Sequence, residues 1–396
     1  MKKIAIIGAG ASGLLLANLL DTNRFAITLF EKNNKLGKKL QATGNGKCNI
    51  TNANLNSNNF HSHTSKFVNY ALGQFDYHKC KKIFSSLGIE FITLPNGKAY
   101  PMSQTASSVV DQLKFPIENS KIDLQLNCTI KKISKYGDQF ILDNQHIFDI
   151  VVLACGSIAM EKLGGTDLGY TLSQQLGHTI TPLYPSLVQL ICDDSNISLA
   201  NGIKIVATYG HYEGDLLFTK YGVSGNLILD ISSKIAKQLQ CELQVAIDID
   251  LMPDFTKDQL LALFSNRLKN LPPRPTQLWF DGIINQKLAL YILKKTNLDY
   301  KSNSNQLNKK DLLNIVHTLK KLQLNIIGTK GFENSEVCSG GVSLEQIDNT
   351  SMQSKIHNNL YIIGELMDVD GDCGGFNLHW AWASAYVCAQ SIQKKG

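Results

Sequence analysis

Residues 2–31 read KKIAIIGAGASGLLLANLLDTNRFAITLFE, and this stretch decides the fold. Residues 3–7 are a short apolar run of strand type, and LLLANLL at 14–20 runs at helical spacing. Gly8, Gly10 and Gly13 lie between them in G-x-G-x-x-G spacing. A second strand, 25–30, ends at Glu31. Each glycine has its own task. Gly8 allows the tight turn, Gly10 lets backbone approach a pyrophosphate, and Gly13 lets the helix pack on the strand. The helix start, with Ser12, turns unpaired N–H groups and a positive dipole end toward phosphate. Glu31, followed by Lys32, can accept hydrogen bonds from both ribose hydroxyls of an adenosine. A carboxylate there disfavours a 2′-phosphate, so NADP fits poorly while NAD and FAD both remain. The basic start and apolar run imitate a secretion signal, but the glycines and the lack of a small-x-small cleavage site before Asp21 argue against one.

The next segment favours FAD. Residues 35–52, KLGKKLQATGNGKCNITN, form a polar, glycine-rich loop too irregular for helix or strand. A simple NAD domain would place its next parallel strand here. Thr43, Gly44, Asn45, Gly46 and Asn49 can instead offer backbone and amide groups to an extended cofactor, with Lys39 and Lys47 offsetting its charge. Residues 147–156, IFDIVVLACG, read as a strand closing on Ala154 and Gly156, small residues that let backbone pass the cofactor. Before it, 122–128 and 130–142 read as β-hairpin strands, with the adenine near Thr129 or Ile130. Near the C-terminus, a strand at 360–363 ends at Gly364-Glu365, where the carboxylate can bind a ribityl hydroxyl. Gly371 to Gly375 makes a tight loop, with Gly374, Gly375 and Asn377 at the start of a helix running from Phe376. That helix start can present its positive end to the flavin pyrimidine edge.

Composition agrees with an enzyme of this kind. The 396 residues are 43% hydrophobic and 18% charged, enough for two or three domains with real cores. The net charge of +6 permits nucleic acid as a partner without requiring it. Nine Cys at irregular spacing, with no C-x-x-C pair and no zinc pattern, exclude a disulfide scaffold and point to the reduced cytoplasm. The acids 365, 368, 370 and 372 do not match a calcium loop, so no metal is expected. No segment beyond the N-terminal run has about 18 uninterrupted apolar residues, so no membrane span is expected.

Between these ends, SLVQLIC, IKIVATYG, DLLFT, NLILDIS and LQVAIDID alternate with turn residues from 188 to 250 and read as an antiparallel sheet or small barrel. From 251 to 327 three amphipathic, basic helices follow, with Leu271-Pro-Pro-Arg-Pro275 as a turn between the first two. The fold class is therefore α/β: a Rossmann-like FAD-binding domain built from both chain ends (1–187 and 328–396), interrupted by an antiparallel β-barrel-like insert (188–250) and a small helical insert (251–327). A second G-x-G-x-x-G is absent, so no separate NAD domain is expected.

The chain closely resembles the HI0933-like family of FAD-dependent oxidoreductases, with its YhiN and BaiN groups. The resemblance spans nearly the whole chain and rests on Gly8–Gly13, TGNGKCNITN at 43–52, GKAYPMS at 97–103, GHTITPLYPSLVQL at 177–190, LLFTKYGVSG at 216–225, GGVSLEQID at 340–348 and LYIIGELMDVDGDCGGFNLHWAWASA at 360–385. There are departures. Lys47 replaces a usual Arg, which keeps the charge and loses the planar fork. GTDLGY at 165–170 replaces GSTGDGY, Cys338-Ser339 replaces Thr and a small residue, and His379 replaces Gln.

The resemblance implies a two-electron reductase of an activated C=C bond, with FAD as cofactor and NAD(P)H as a transient reductant. It implies two different substrates: steroid or bile-acid intermediates in some relatives, and uridine of ribosomal RNA in others. The net charge and the basic helical insert favour RNA. A small-molecule flavin oxidase or dehydrogenase, acting on an amine or a steroid-like compound, is the alternative. No stable protein partner and no membrane partner is expected. Cys338, His379, Tyr100 and Cys48 are the candidates for the proton donor, each with a plain packing role as its alternative.

Overall fold

The computed structural model describes residues 1–64 and 66–395. The chain divides into two compact units, 1–184 with 335–396, and 185–334.

The first unit is built on a five-stranded sheet. Its order is Leu360–Ile362, Ile150–Leu153, Lys2–Ile7, Phe25–Phe30, Asp123–Gln125, and every pairing is parallel. Parallel strands buried on both faces need continuous apolar runs rather than alternation. Ile4, Ala5 and Ile6 and the run Val151–Leu153 meet that need, each with no exposed surface. The helix Ala11–Leu19 packs against the C-terminal helix Phe376–Lys395 and the helix Ala106–Glu118. Parallel order has one consequence for the site: four strands end on the same edge. Ile7 pairs with both Phe30 and Leu153, and Leu153 pairs with Ile362. The segments that follow them, Gly8–Gly13, Glu31, Ala154–Gly156 and Gly364–Glu365, are thereby collected at the carboxyl ends, where such sheets bind ligands.

Three readings of the sequence change here. The run 122–128 is not a hairpin strand; Asp123–Gln125 is the edge strand of the parallel sheet, beside Phe25–Phe30. The hairpin is instead Ile133–Tyr136 with Gln139–Leu142, extended to three strands by His146–Phe148. The apolar run 147–156 is consequently two strands. They break at Asp149, whose carboxylate accepts the Lys3 N–H at 2.8 Å and the Gln139 amide at 3.0 Å. In the loop 35–52, Thr51 and Asn52 leave irregular structure and pair with Ala99 and Lys98.

The second unit holds a six-stranded antiparallel sheet, ordered Lys204–Tyr209, Tyr212–Phe218, Gly222–Ser224, Leu190–Cys192, Leu322–Thr329, Val245–Ile249. Its two edges curl toward each other: Thr208 and Asp250 exchange both backbone hydrogen bonds at 3.0 Å. NLILDIS is not a strand. It opens the helix Asn226–Gln238, whose buried Leu227, Ile228, Ile231 and Ile235 follow the helical period. The amphipathic helices are Lys257–Asn270, Gln286–Lys295 and Lys309–Lys320. The sequence reading separated residues 188–250 from 251–327. In the structure the strands and these helices share one hydrophobic cluster, in which Phe218 stacks edge-on to Tyr291. Leu322–Thr329 returns from the last helix to the middle of the sheet. Among the described residues, no helix is long and apolar enough to cross a membrane.

Candidate functional site

The glycine turn is shaped by what would collide there. A Cβ on Gly8 would stand 2.4 Å from the Ala154 carbonyl oxygen, and one on Gly13 would stand 1.9 Å from the Gly8 carbonyl oxygen. These two glycines weld turn, strand and helix together. Gly10 differs: a Cβ there would meet nothing within 4 Å. The helix Ala11–Leu19 begins at Gly10 with no side-chain cap and no acid in its first turn. Its first N–H groups thus have no side-chain cap and the space beside Gly10 is open, as an anion site requires. Gly156 (φ +69°) and Gly46 (φ +80°) also have open space where a side chain would be. Glu31 is 8% exposed and already accepts the Ala9 N–H at 3.0 Å and the Asn33 backbone and side-chain N–H groups at 2.8 and 2.6 Å. About one of the carboxylate's four acceptor positions is left for a ribose hydroxyl. This cradle fits the adenosine diphosphate half of FAD.

A second cluster fits the flavin half. Gly44 and Asn45 both take left-handed backbone, φ +57° and +54°. A Cβ on Gly44 would be 2.9 Å from the Asn49 nitrogen and 3.4 Å from the Tyr100 ring. A Cβ on Gly375 would be 2.6 Å from the Thr51 carbonyl oxygen and 2.8 Å from the Asn49 Oδ1. Asn49 is buried, and its Oδ1 has no hydrogen-bond partner. A buried acceptor without a donor is costly unless a ligand supplies one. This orphaned atom beside the start of the C-terminal helix fits the flavin ring.

Other expected residues spend their side chains on the protein. Asn377 clamps Gly371, accepting its N–H at 2.8 Å and donating to its carbonyl at 2.7 Å, so it shapes the loop instead of presenting an amide to a ligand. Asn52 holds the Gly374 carbonyl at 3.0 Å. Gly364 is gripped by the C-terminal helix, with Ser384 Oγ accepting its N–H at 3.0 Å and Trp380 Nε1 donating to its carbonyl at 3.2 Å. Thr43 donates to the Leu40 carbonyl at 2.7 Å, and Lys32 donates to the Gly165 carbonyl at 3.3 Å. Ile130 and Ala154 are core residues at 1% and 3% exposure. Lys47 lies exposed on the loop. Glu365 is ringed by Lys39 Nζ at 2.9 Å, Ser157 Oγ at 2.7 Å and the Cys338 N–H at 3.1 Å.

The proton-donor candidates separate on geometry. His379 has no exposed surface. Its Nε2 lies 2.8 Å from the Phe75 carbonyl oxygen and must donate there, so Nδ1 accepts from the Thr51 hydroxyl at 2.8 Å. Burial pulls its pKa down to about 4, against the Phe75 carbonyl, which favours the charged ring. It is a neutral core histidine with no proton to deliver outward. Burial pushes the Cys338 thiol up to about 12, with Glu365 adding to the effect. Cys48 is likewise pushed up to about 12 by burial, the Thr43 side chain opposing. Both thiols are therefore protonated at neutral pH. Neither Cys48 nor Cys338 is in a disulfide. Tyr100 is half-buried and raised by burial, then by Cys373. It alone of the four keeps exposed surface beside Gly44.

Several side chains near these segments had no signal in a one-residue-at-a-time reading. Tyr170 faces Cys338, and burial raises its hydroxyl far above the ordinary value. Glu336 is raised by desolvation against Lys39 and Lys98, although part of its side chain stays exposed. His63 Nδ1 meets Asp368 at 2.7 Å, and His61 Nε2 meets Asp372 at 2.7 Å. A signal for these pairs did exist. The acids at 368, 370 and 372 and the histidines at 61 and 63 share strand spacing, and Asp370 pairs with His61 in the ladder.

The chain is similar to known proteins along its whole length. The family model described as HI0933-like protein Rossmann domain matches residues 2–391. A 3-dehydro-bile acid delta(4,6)-reductase from Clostridium scindens is 31% identical, with all of both chains covered. Ribosomal RNA dihydrouridine synthases from Haemophilus influenzae and Escherichia coli are each 27% identical. They cover 98% of this chain, and 98% and 97% of their own lengths.

Proposed function

The chain belongs to the HI0933-like family and is an FAD-dependent oxidoreductase; from that premise we propose that it is a two-electron reductase of an activated C=C bond. The observation that carries this reading is the open glycine cradle at Gly10 together with the buried, donorless Asn49 Oδ1. When bound, FAD supplies hydride-transfer chemistry. The residues of this chain do the rest. The uncapped start of the helix Ala11–Leu19 would hold the pyrophosphate. Glu31 would hold the adenosine ribose, Asn49 Oδ1 would accept a hydrogen bond from the flavin, and the start of the C-terminal helix would favour negative charge there. Glu365, neutralised by Lys39, closes the ribityl side. The half-buried Tyr100 and the exposed Glu336 are the acids that can hand a proton to a substrate carbon. NAD(P)H is the reductant in this reading, visiting without a domain of its own.

Both reactions named for the relatives saturate a C=C bond, one in a bile acid and one in uridine. We favour uridine of 23S ribosomal RNA, in the cytoplasm, because the chain is basic. The test is mass spectrometry of nucleosides from 23S ribosomal RNA in a strain lacking the gene and in its parent. Loss of dihydrouridine, restored by complementation, is the expected result. An unchanged level, or no dihydrouridine in that RNA, overturns the RNA substrate. The small-molecule reading then takes its place, and screening metabolites for reoxidation of the reduced flavin tests it.

A further inference from the structure

The charge of the second unit is unevenly divided. Residues 251–327 carry twelve Lys and Arg against five Asp and Glu, whereas 185–250 carry four against eight. The helical part is thus +7 and the strand part −4. Part of this difference is internal glue. Lys295 pairs with Asp194 at 2.9 Å, Lys320 with Asp250 at 2.6 Å and Lys321 with Asp248 at 3.2 Å. Arg267 is spent on the carbonyls of Trp279 and Asp281. The other eight cations have no carboxylate within 4.0 Å among the described residues. Three of the five acids are occupied locally. Asp311 caps its own helix with Asn308, Asp299 accepts the Lys301 N–H at 3.0 Å, and Asp281 accepts from Gln286 at 2.9 Å. The surplus positive charge is therefore not neutralised by the fold.

Some of it converges on one aromatic ring. Lys294 Nζ and Lys301 Nζ lie 5.2 and 5.6 Å from the centre of the half-exposed Tyr300 ring. The strip 274–277 is tied to 300–304 by Gln277 N–H to the Tyr300 carbonyl at 3.1 Å and Ser304 N–H to the Arg274 carbonyl at 2.8 Å. This brings Arg274 into the same patch. Unpaired cations around an aromatic face are the chemistry of single-stranded nucleic acid recognition, where cations track phosphates and rings stack on bases.

We propose that the patch of Arg274, Lys294, Tyr300 and Lys301 on the helical part of the second unit is a docking surface for single-stranded RNA. The inference rests on the RNA reading above and adds the place where RNA is held. The expected occupant is a loop or unpaired strand, because stacking on the Tyr300 ring needs unpaired bases.

The test uses the full-length, FAD-loaded protein and a fluorescein-labelled, uridine-rich 20-nucleotide RNA, with anisotropy read from 50 to 200 mM salt. Lys294→Glu combined with Lys301→Glu is expected to weaken binding at least about tenfold and to flatten the log–log salt slope by about 1.4, the share of two phosphate contacts on a single strand. Tyr300→Ala, which leaves charge unchanged, is expected to weaken binding about threefold or more without moving the slope. Lys81→Glu combined with Lys82→Glu makes the same charge change on an exposed helix of the first unit and is expected to stay within twofold. The proposal falls if the natural protein does not bind the RNA at 50 mM salt, or if both double variants lose affinity equally. It also falls if phosphatidylserine vesicles displace the RNA from the natural protein but not from the Lys294/Lys301 variant. The failures are separable: binding lost at this patch with unchanged dihydrouridine in the deletion strain keeps the surface and rejects the substrate, and the reverse result does the opposite.

Discussion

The two ends of the chain build the candidate site by opposite means. The N-terminal end works by missing side chains: Gly8 and Gly13 let three elements touch, and Gly10 leaves a helix start bare. The C-terminal end works by side chains that hold glycines in place. Asn377 grips Gly371, Asn52 grips Gly374, and Ser384 and Trp380 grip Gly364. The first end is thus intolerant of added atoms, and the second of removed ones. A motif read as one string of glycines hides two classes of position: those that hold the fold and those that leave room for a ligand.

The largest effect should come from Gly13→Ala. Its methyl group would lie 1.9 Å from the Gly8 carbonyl oxygen, a clash with backbone that cannot step aside. We expect a loss above about 4 kcal/mol, seen as a collapsed thermal transition or insoluble protein. A soluble variant melting within a few degrees of the parent would break the comparison. Gly10→Ala sharpens it from the other side. With nothing within 4 Å, it should change stability by less than about 1 kcal/mol while weakening FAD binding about tenfold or more. Flavin fluorescence titration and calorimetry read the two effects separately.

At the C-terminal end, Asn377→Ala removes two hydrogen bonds to Gly371, at 2.8 and 2.7 Å. A cost of about 2 kcal/mol is expected, together with lower flavin content, because the loop before the helix is released. Denaturant unfolding and the ratio of flavin to protein absorbance check it, and an unchanged midpoint would show the clamp to be idle. The smallest effect should be that of His379→Gln. A glutamine amide can still donate to the Phe75 carbonyl and accept from Thr51, so turnover and stability at pH 7.5 should be nearly unchanged. Acid stability should differ. The folded pKa of His379 is about 4, while the unfolded ring titrates near 6.5. Between those values the unfolded chain binds a proton that the folded chain refuses, so this histidine destabilises the fold as pH falls from about 6.5 to 4. The variant should lose that share of the acid sensitivity, whereas His178, also lowered to about 4 by burial, keeps its own. A large fall in turnover for His379→Gln at pH 7.5 would return the residue to the catalytic set.

Short-range features were legible because their causes are short-range. The strand Phe25–Phe30 and the helix starting at Phe376 stand where the sequence placed them. Each is bounded by a local signal: an acid or a glycine turn. NLILDIS misled because its apolar residues suit alternation over a few positions, and only the longer run to Ile235 reveals the helical period. The run 147–156 misled because Asp149 breaks it through partners at Lys3 and Gln139, one of them far away in the chain. His379 had a helical aromatic neighbourhood that announced burial, but not that both ring nitrogens were taken.

By itself, the sequence determined the nucleotide cradle, the acid at the end of the second strand and the closing helix. These depend on spacing along one short segment, where backbone geometry follows from residue type. Tertiary structure alone decided which groups keep free chemistry. Asn49 is left without a donor while Asn377 is spent on a loop. Lys295 is paired while Lys294, its neighbour, is not. Hydrogen bonds and ion pairs form between residues distant in the chain, and whether a polar atom is satisfied depends on every partner within about 3 Å. No local pattern carries that information.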